Sequence, residues 1–224
     1  MGYQYAVLLD LDGVIIDTRA ATSEALKVIA TDALGRPVDS AALDQYVGLA
    51  PVDALVALGV QGARRIYEER FDRALADAVG QLRIFEAVVA GMIELSDDDV
   101  GLGIITAQAN SRLPFLLPPV VANLVDVVIA HEDAPPKPAP DGVLTACSRL
   151  GVPPTRALFL GDTVNDIAAG RSAGVLTVGA GWGFVGSDTL RRAGADVVLV
   201  EPHQVGVSLL RHLDGRRVPE QITD

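Results

Sequence analysis

Two carboxylates at the end of an apolar run constrain this chain more than any other feature: Tyr5-Ala6-Val7-Leu8-Leu9-Asp10-Leu11-Asp12-Gly13. No polar residue interrupts Ala6 to Leu9, the pattern of a strand covered on both faces in a parallel sheet. Strand side chains repeat every two residues, so Asp10 and Asp12 start out on the same side of the chain. Gly13 lets the backbone turn sharply straight afterwards. The C-terminal ends of parallel strands are where α/β proteins place their sites. Two acids there either bind a metal or divide catalytic work between them. The plain alternative is a strand that ends in an acidic turn.

A chain of 224 residues, half of them hydrophobic, suffices for one large domain or for a core with a smaller insertion. Its net charge of −11 argues against nucleic acid and anionic membrane surfaces, which need clustered Lys and Arg. An anionic small substrate stays open, because a metal can supply local positive charge. The single cysteine, Cys147, precludes an internal disulfide and suits a reducing, cytoplasmic compartment. It falls in an amphipathic helical pattern and reads as a buried structural thiol. No secretory signal is expected, since Asp10 ends the N-terminal apolar run. The longest greasy stretch, Leu113 to Ala130, holds Pro114, Pro118, Pro119, Asn123 and Asp126, and is no membrane span.

Beyond Asp17 the period changes from strand to helix. A helix to about Leu34, with Thr18 or Thr22 as its cap, stops at Gly35 and Pro37. Short helices over Ser40–Val47 and Pro51–Leu58 follow, then a longer one over Ala63–Gln81. From Ile84 the chain alternates helix and strand: helix to Leu95, strand Gly101–Ile105, strand Val125–Ala130, helix to Leu150, strand Ala157–Leu160, helix Val164–Ala173, strand Val175–Val178, a helix near Asp188–Ala193 and strand Val197–Val200. Residues 214–224 read as a frayed end. The pattern predicts an α/β fold: a doubly wound, mostly parallel, Rossmann-like sheet from residues 1–17 and 83–224, with an all-helical insert at 18–82.

Three further places put polar groups at strand ends or in stiff loops. Thr106 follows an apolar strand and precedes Asn110-Ser111, a helix start whose amides would help its hydroxyl hold phosphate oxygens. Lys137 lies in Pro135-Pro136-Lys137-Pro138-Ala139-Pro140, whose prolines would aim one long cation at a fixed place. Asp162 ends another apolar strand in Gly161-Asp162-Thr163-Val164-Asn165-Asp166, with Asp166 one helical turn on. Helix N-capping explains one of these two acids, but not both.

These four places, in this order, resemble the four motifs of the haloacid dehalogenase superfamily. Lys137-Pro138-Ala139-Pro140, Gly161-Asp162-Thr163-Val164-Asn165-Asp166 and Gly181-Trp182-Gly183-Phe184 are most similar to its phosphoglycolate-phosphatase-like branch, with residues 18–82 as the helical cap. Two positions depart from that branch: Ala107 stands where Asn is frequent, and Glu86-Ala87 replaces a Pro-Gly after the cap.

The resemblance implies a Mg²⁺-dependent phosphomonoesterase for a small phosphorylated metabolite. Asp10 would be the nucleophile, Asp12 the acid/base, and Thr106 and Lys137 the phosphate holders, with Ala107 beside them. Asp10, the Asp12 carbonyl, Asp162 and Asp166 would surround the metal. Candidate substrate contacts in the cap are Arg19, Tyr46, Gly48 and Leu49, with Arg64 or Arg65 besides. A monomer and a homodimer fit equally. A sugar-phosphate mutase shares all four motifs. A dehalogenase proper is disfavoured by Asp12, and a receiver-type signalling domain by the Asp10-x-Asp12 spacing and the helical insert.

Overall fold

The computed structural model describes residues 3–39, 43, 51–98 and 100–214. These divide between two compact units: those within residues 1–15, 85–109 and 119–224, and those within residues 16–84 and 110–118.

The first unit is built on a six-stranded sheet in the order β5-β4-β1-β6-β7-β8. Its strands are β1 (Tyr5–Leu9), β4 (Val100–Ile105), β5 (Val127–Ile129), β6 (Ala157–Gly161), β7 (Leu176–Ala180) and β8 (Val197–Leu199), and every pairing is parallel. The strands expected from the apolar runs are present, displaced at their ends by a residue or two. Ala6 and Leu8 point into a cluster with Val143, Ala146 and Cys147 of one helix and Ala169 and Ala173 of another. Val7 and Leu9 point the other way and are equally buried, so the central strand is covered on both faces.

The chain runs from β1 to β4 and β5 on one side, then returns to β6 on the other. β1 therefore lies at the switch point of the topology, where a crevice opens beyond the strand ends. Leu9 pairs with Ile104 on one side and Leu160 on the other. The residues that follow these strands, Asp10, Thr106 and Asp162, consequently emerge close together.

Among the described residues the second unit is helical apart from a ribbon of β2 (Ile16–Asp17) and β3 (Arg83–Ile84), paired antiparallel. Helix α1 (Arg19–Leu34) buries Ala21, Ala25, Leu26, Ile29 and Ala30 and ends at Gly35 in the left-handed region. Thr18 stands at its cap position, but its side chain makes no capping bond. Helix α2 (Pro51–Ala57) is followed by α3 (Ala63–Asp77), which packs against α1 and buries Phe71 and Leu75. Of the span expected as a helix, Ser40–Val47, only Leu43 is among the described residues, where it is helical and buried; residues 215–224 lie outside them.

The remaining helices are α4 (Glu86–Asp97), α5 (Leu113–Leu116), α6 (Pro119–Leu124), α7 (Asp141–Leu150), α8 (Val164–Ala173), α9 (Gly186–Ala193) and α10 (Leu210–Asp214). The helix start expected at Asn110-Ser111 is corrected: α5 begins at Leu113 and lasts one turn. Leu117 precedes Pro118 and is extended, which stops the helix. The segment also joins the second unit, because Arg112 Nε donates to Asp72 at 2.7 Å and Ser111 Oγ to the same carboxylate at 3.0 Å. The Arg112 guanidinium further stacks 4.9 Å from the Phe71 ring and donates to Tyr67 Oη at 3.0 Å. No helix among the described residues is long and apolar enough to cross a membrane.

Candidate active site

Asp10 leaves β1 with its amide bonded to Leu160 O at 2.9 Å, so the ladder itself carries it to the crevice. Its Oδ1 accepts from the Leu11 amide at 2.8 Å and lies 3.0 Å from Lys137 Nζ. Lys137 comes from the loop between β5 and α7. Its Nζ also lies 2.6 Å from Asp166 Oδ1 and approaches Ile105 O at 3.4 Å. One cation thus joins the strand-end acid of β1 to the helix-start acid of α8.

Asp166 serves two purposes with its two oxygens. Its Oδ2 accepts from the Thr163 amide at 2.9 Å, while Thr163 Oγ1 accepts from the Asp166 amide at 3.3 Å, a capping box at the start of α8. Oδ1 is left for Lys137. Capping therefore does explain one acid of the Asp162/Asp166 pair, and that same acid also reaches the site.

Asp162 is fully buried between two glycines. A Cβ on Gly13, which has φ +76°, or on Gly183 would collide with its carboxylate. The Phe184 amide donates to Oδ2 at 2.7 Å, and Trp182 Nε1 donates to Val14 O at 3.3 Å, tying this loop to the turn after β1. Asp162 Oδ1 is buried with no hydrogen-bond partner among the described residues.

Burial pushes Asp162 up to about 7 against the Phe184 amide, with Asp166 adding to the rise. Burial also raises Asp10 well above the usual carboxylate range; Lys137 opposes it, and Asp166, Asp162 and Asp12 reinforce it. Burial alone would lower Lys137, but Asp10 and Asp166 more than reverse this and keep the ammonium charged.

The cavity beyond the strand ends measures about 260 Å³. Asp10, Asp12, Thr106, Lys137 and Asp162 line it, with Pro135 and Pro136 among the apolar residues of its wall. One oxygen each from Asp10, Asp162 and Asp166 lies within 4.8 Å of the others. This set of hard oxygens, one of them orphaned and another held by an ion pair alone, fits a divalent cation.

Thr106 is buried; its amide continues the ladder to Ile129 O at 2.9 Å and its Oγ1 accepts from the Gln108 amide at 3.1 Å. Ala107 is exposed at the cavity rim. Asp12 is half-buried, and Gln108 Nε2 donates to both its oxygens at 3.0 Å. Sequence reasoning passed over Gln108, the Phe184 amide and the Gly183 gap. For Gln108 the available signal was its place two residues beyond Thr106, in a strand-end turn.

In the second unit Arg19 is forked onto Asp17, at 2.9 and 3.0 Å. Arg64 and Arg65 are exposed on α3, Arg65 beside Glu69 at 3.3 Å. Tyr46, Gly48 and Leu49 lie outside the described residues.

The family model described as "Haloacid dehalogenase-like hydrolase" matches residues 7–180. "Probable phosphatase IndB" of Dickeya dadantii is 30% identical over 208 residues, which cover 86% of this chain and 88% of that one. A phosphoglycolate phosphatase of Salmonella choleraesuis is 31% identical over 166 residues, 71% of this chain and 64% of its own length. Among solved structures, a hydrolase from Pseudomonas syringae superposes with a TM-score of 0.71 at 25% identity, covering 95% of this chain and 99% of that one.

Proposed function

This chain belongs to the haloacid dehalogenase-like hydrolases and is a phosphomonoester hydrolase, and on that premise we propose that it uses Mg²⁺ and an aspartyl-phosphate intermediate to dephosphorylate a small metabolite. One observation carries the reading: Lys137 Nζ bridges Asp10 at 3.0 Å and Asp166 at 2.6 Å beside the buried Asp162, at the switch point of the sheet.

Asp10 attacks phosphorus, Asp12 gives its proton to the leaving oxygen, and the P–O bond to the alcohol breaks. Water then attacks the phosphoryl group, its proton passes to Asp12, and the P–O bond to Asp10 breaks, releasing inorganic phosphate. Lys137 offsets the repulsion between Asp10 and the phosphate dianion, and the Thr106 hydroxyl orients the phosphoryl oxygens. Asp10, the Asp12 carbonyl and Asp162 would hold Mg²⁺, with Asp166 as a further ligand or as the group that orients Lys137. When bound, the ion neutralises charge on the phosphoryl oxygens.

Small phosphorylated acids and sugars are the substrate class, and the chain's net charge of −11 speaks against nucleic acid as a partner. A cytoplasmic monomer or homodimer suits its single buried thiol. The test is phosphate release from p-nitrophenyl phosphate and from a panel of phosphorylated metabolites. Activity should vanish in chelator and return with Mg²⁺. Asp10→Asn should form no covalent intermediate, whereas Asp12→Asn should accumulate one phosphoryl group on the chain. Full activity in excess chelator, or a phosphorylated Asp10→Asn protein, would overturn the mechanism. A sugar-phosphate mutase on the same fold would move phosphate between positions of one sugar without net release.

A further inference from the structure

Asp12 is asked to give a proton to one oxygen and later take one from another, so its carboxylate must keep one orientation through both steps. A turn follows it directly in the chain, it is only half-buried, and it lies outside the Lys137 bridge. Something else must hold its plane. Gln108 Nε2 donates to Asp12 Oδ1 and Oδ2 at 3.0 Å each, across 96 residues of chain. A single donor centred on both oxygens resists rotation about the last side-chain bond, which is otherwise broad and soft.

Gln108 is itself well anchored. Its amide donates to Thr106 Oγ1 at 3.1 Å, and its carbonyl accepts from the His131 amide at 2.9 Å. The residue is pinned on one side to the hydroxyl at the end of β4 and on the other to the loop after β5. We propose that Gln108 is a positioning residue for the proton transfers of Asp12, acting through that carboxylate rather than on the substrate. This rests on the acid/base role of Asp12 proposed above.

Gln108→Met keeps the length of the side chain and removes the donor; Gln108→Asn keeps an amide but shortens its reach. With either, kcat on alkyl phosphates should fall roughly 10- to 100-fold, as expected for a misplaced proton donor. KM should stay within about threefold, and so should the burst of p-nitrophenol, whose leaving group needs little protonation. In an Asp12→Asn background, Gln108→Met should cost no more than about a further twofold, because a group acting through Asp12 has nothing left to position. An equal loss on both substrate types, a rise in KM alone, or a full additional loss in the double variant would overturn the inference. If Asp12→Asn itself keeps its alkyl phosphatase activity, the role of Asp12 fails and this inference fails with it. If Asp12→Asn is impaired and both Gln108 variants are unimpaired, only the role of Gln108 fails.

Discussion

Gly183 leaves the space that the Asp162 carboxylate occupies. A side chain at 183 would displace an acid that is bonded to the next amide, Phe184, at 2.7 Å. Gly183→Ala should therefore weaken divalent-cation binding by roughly tenfold or more, the cost of disturbing a supporting group. Trp182, the one tryptophan of the chain, stands next to the substitution. Its fluorescence during a Mg²⁺ titration gives the readout, and unchanged affinity would refute the prediction.

Asp162 sets a pH dependence on the metal-free protein. Its folded value of about 7 lies above the unfolded value of about 3.9. Between these, the folded chain keeps a proton that the unfolded chain has lost, so stability falls as pH rises, and this contribution levels off above 7. Asp10 acts in the same direction. Lys137 is raised, so it is charged in both states throughout this window and adds no slope. Metal-free protein should melt at lower temperature at pH 8 than at pH 5. Asp162→Asn should flatten the difference, and Mg²⁺ should raise the melting temperature more at pH 8. A melting temperature that climbs from pH 5 to 8 without metal would show that Asp162 is ionised in the fold.

Lys137→Met leaves Asp10 and Asp166 facing each other without the cation between them. Breaking a buried ion pair on one side costs about 3–5 kcal/mol. The loss should reach that range at pH 8 and shrink at pH 5, where Asp10, raised by burial, holds a proton more readily. Urea unfolding at the two pH values measures it, and equal losses at both would count against the shared bridge.

Arg112→Ala removes the 2.7 Å pair with Asp72, the bond to Tyr67 and the stack on Phe71. A loss of roughly 1–3 kcal/mol is expected, with Arg112→Lys restoring little, because a point charge replaces neither the fork nor the stack. Hydrogen exchange should accelerate over residues 110–118 and in α3 more than in β1. Uniform acceleration across the chain would contradict this.

What could be read in the sequence follows from how local its causes are. β1 shows itself because four apolar residues end at Asp10, and α8 because Thr163 and Gly174 mark its ends. Lys137 was visible through its prolines, and Asp162 and Asp166 through their place after β6. The two-residue ribbon of β2 and β3 is too short to have a period. Gln108 reaches Asp12 across 96 residues, so no local pattern signals their contact. Arg112 has the same character: nothing near it in sequence foretells Asp72, Tyr67 and Phe71, and the expected helix at Asn110-Ser111 gave way to them.

The amide of Phe85 donates to Ile15 O at 2.9 Å, and the ribbon pairs Ile16 with Ile84 immediately beyond. The core chain thus leaves and re-enters at almost the same point. To the sheet, everything between these residues is a loop whose mouth is already shut. Closing a loop becomes harder only with the logarithm of its length, about 0.6 kcal/mol for each doubling. The core is therefore nearly indifferent to the size of what hangs from that doorway. The helical insert can be lengthened, shortened or exchanged without retuning the strands that carry Asp10, Thr106 and Asp162.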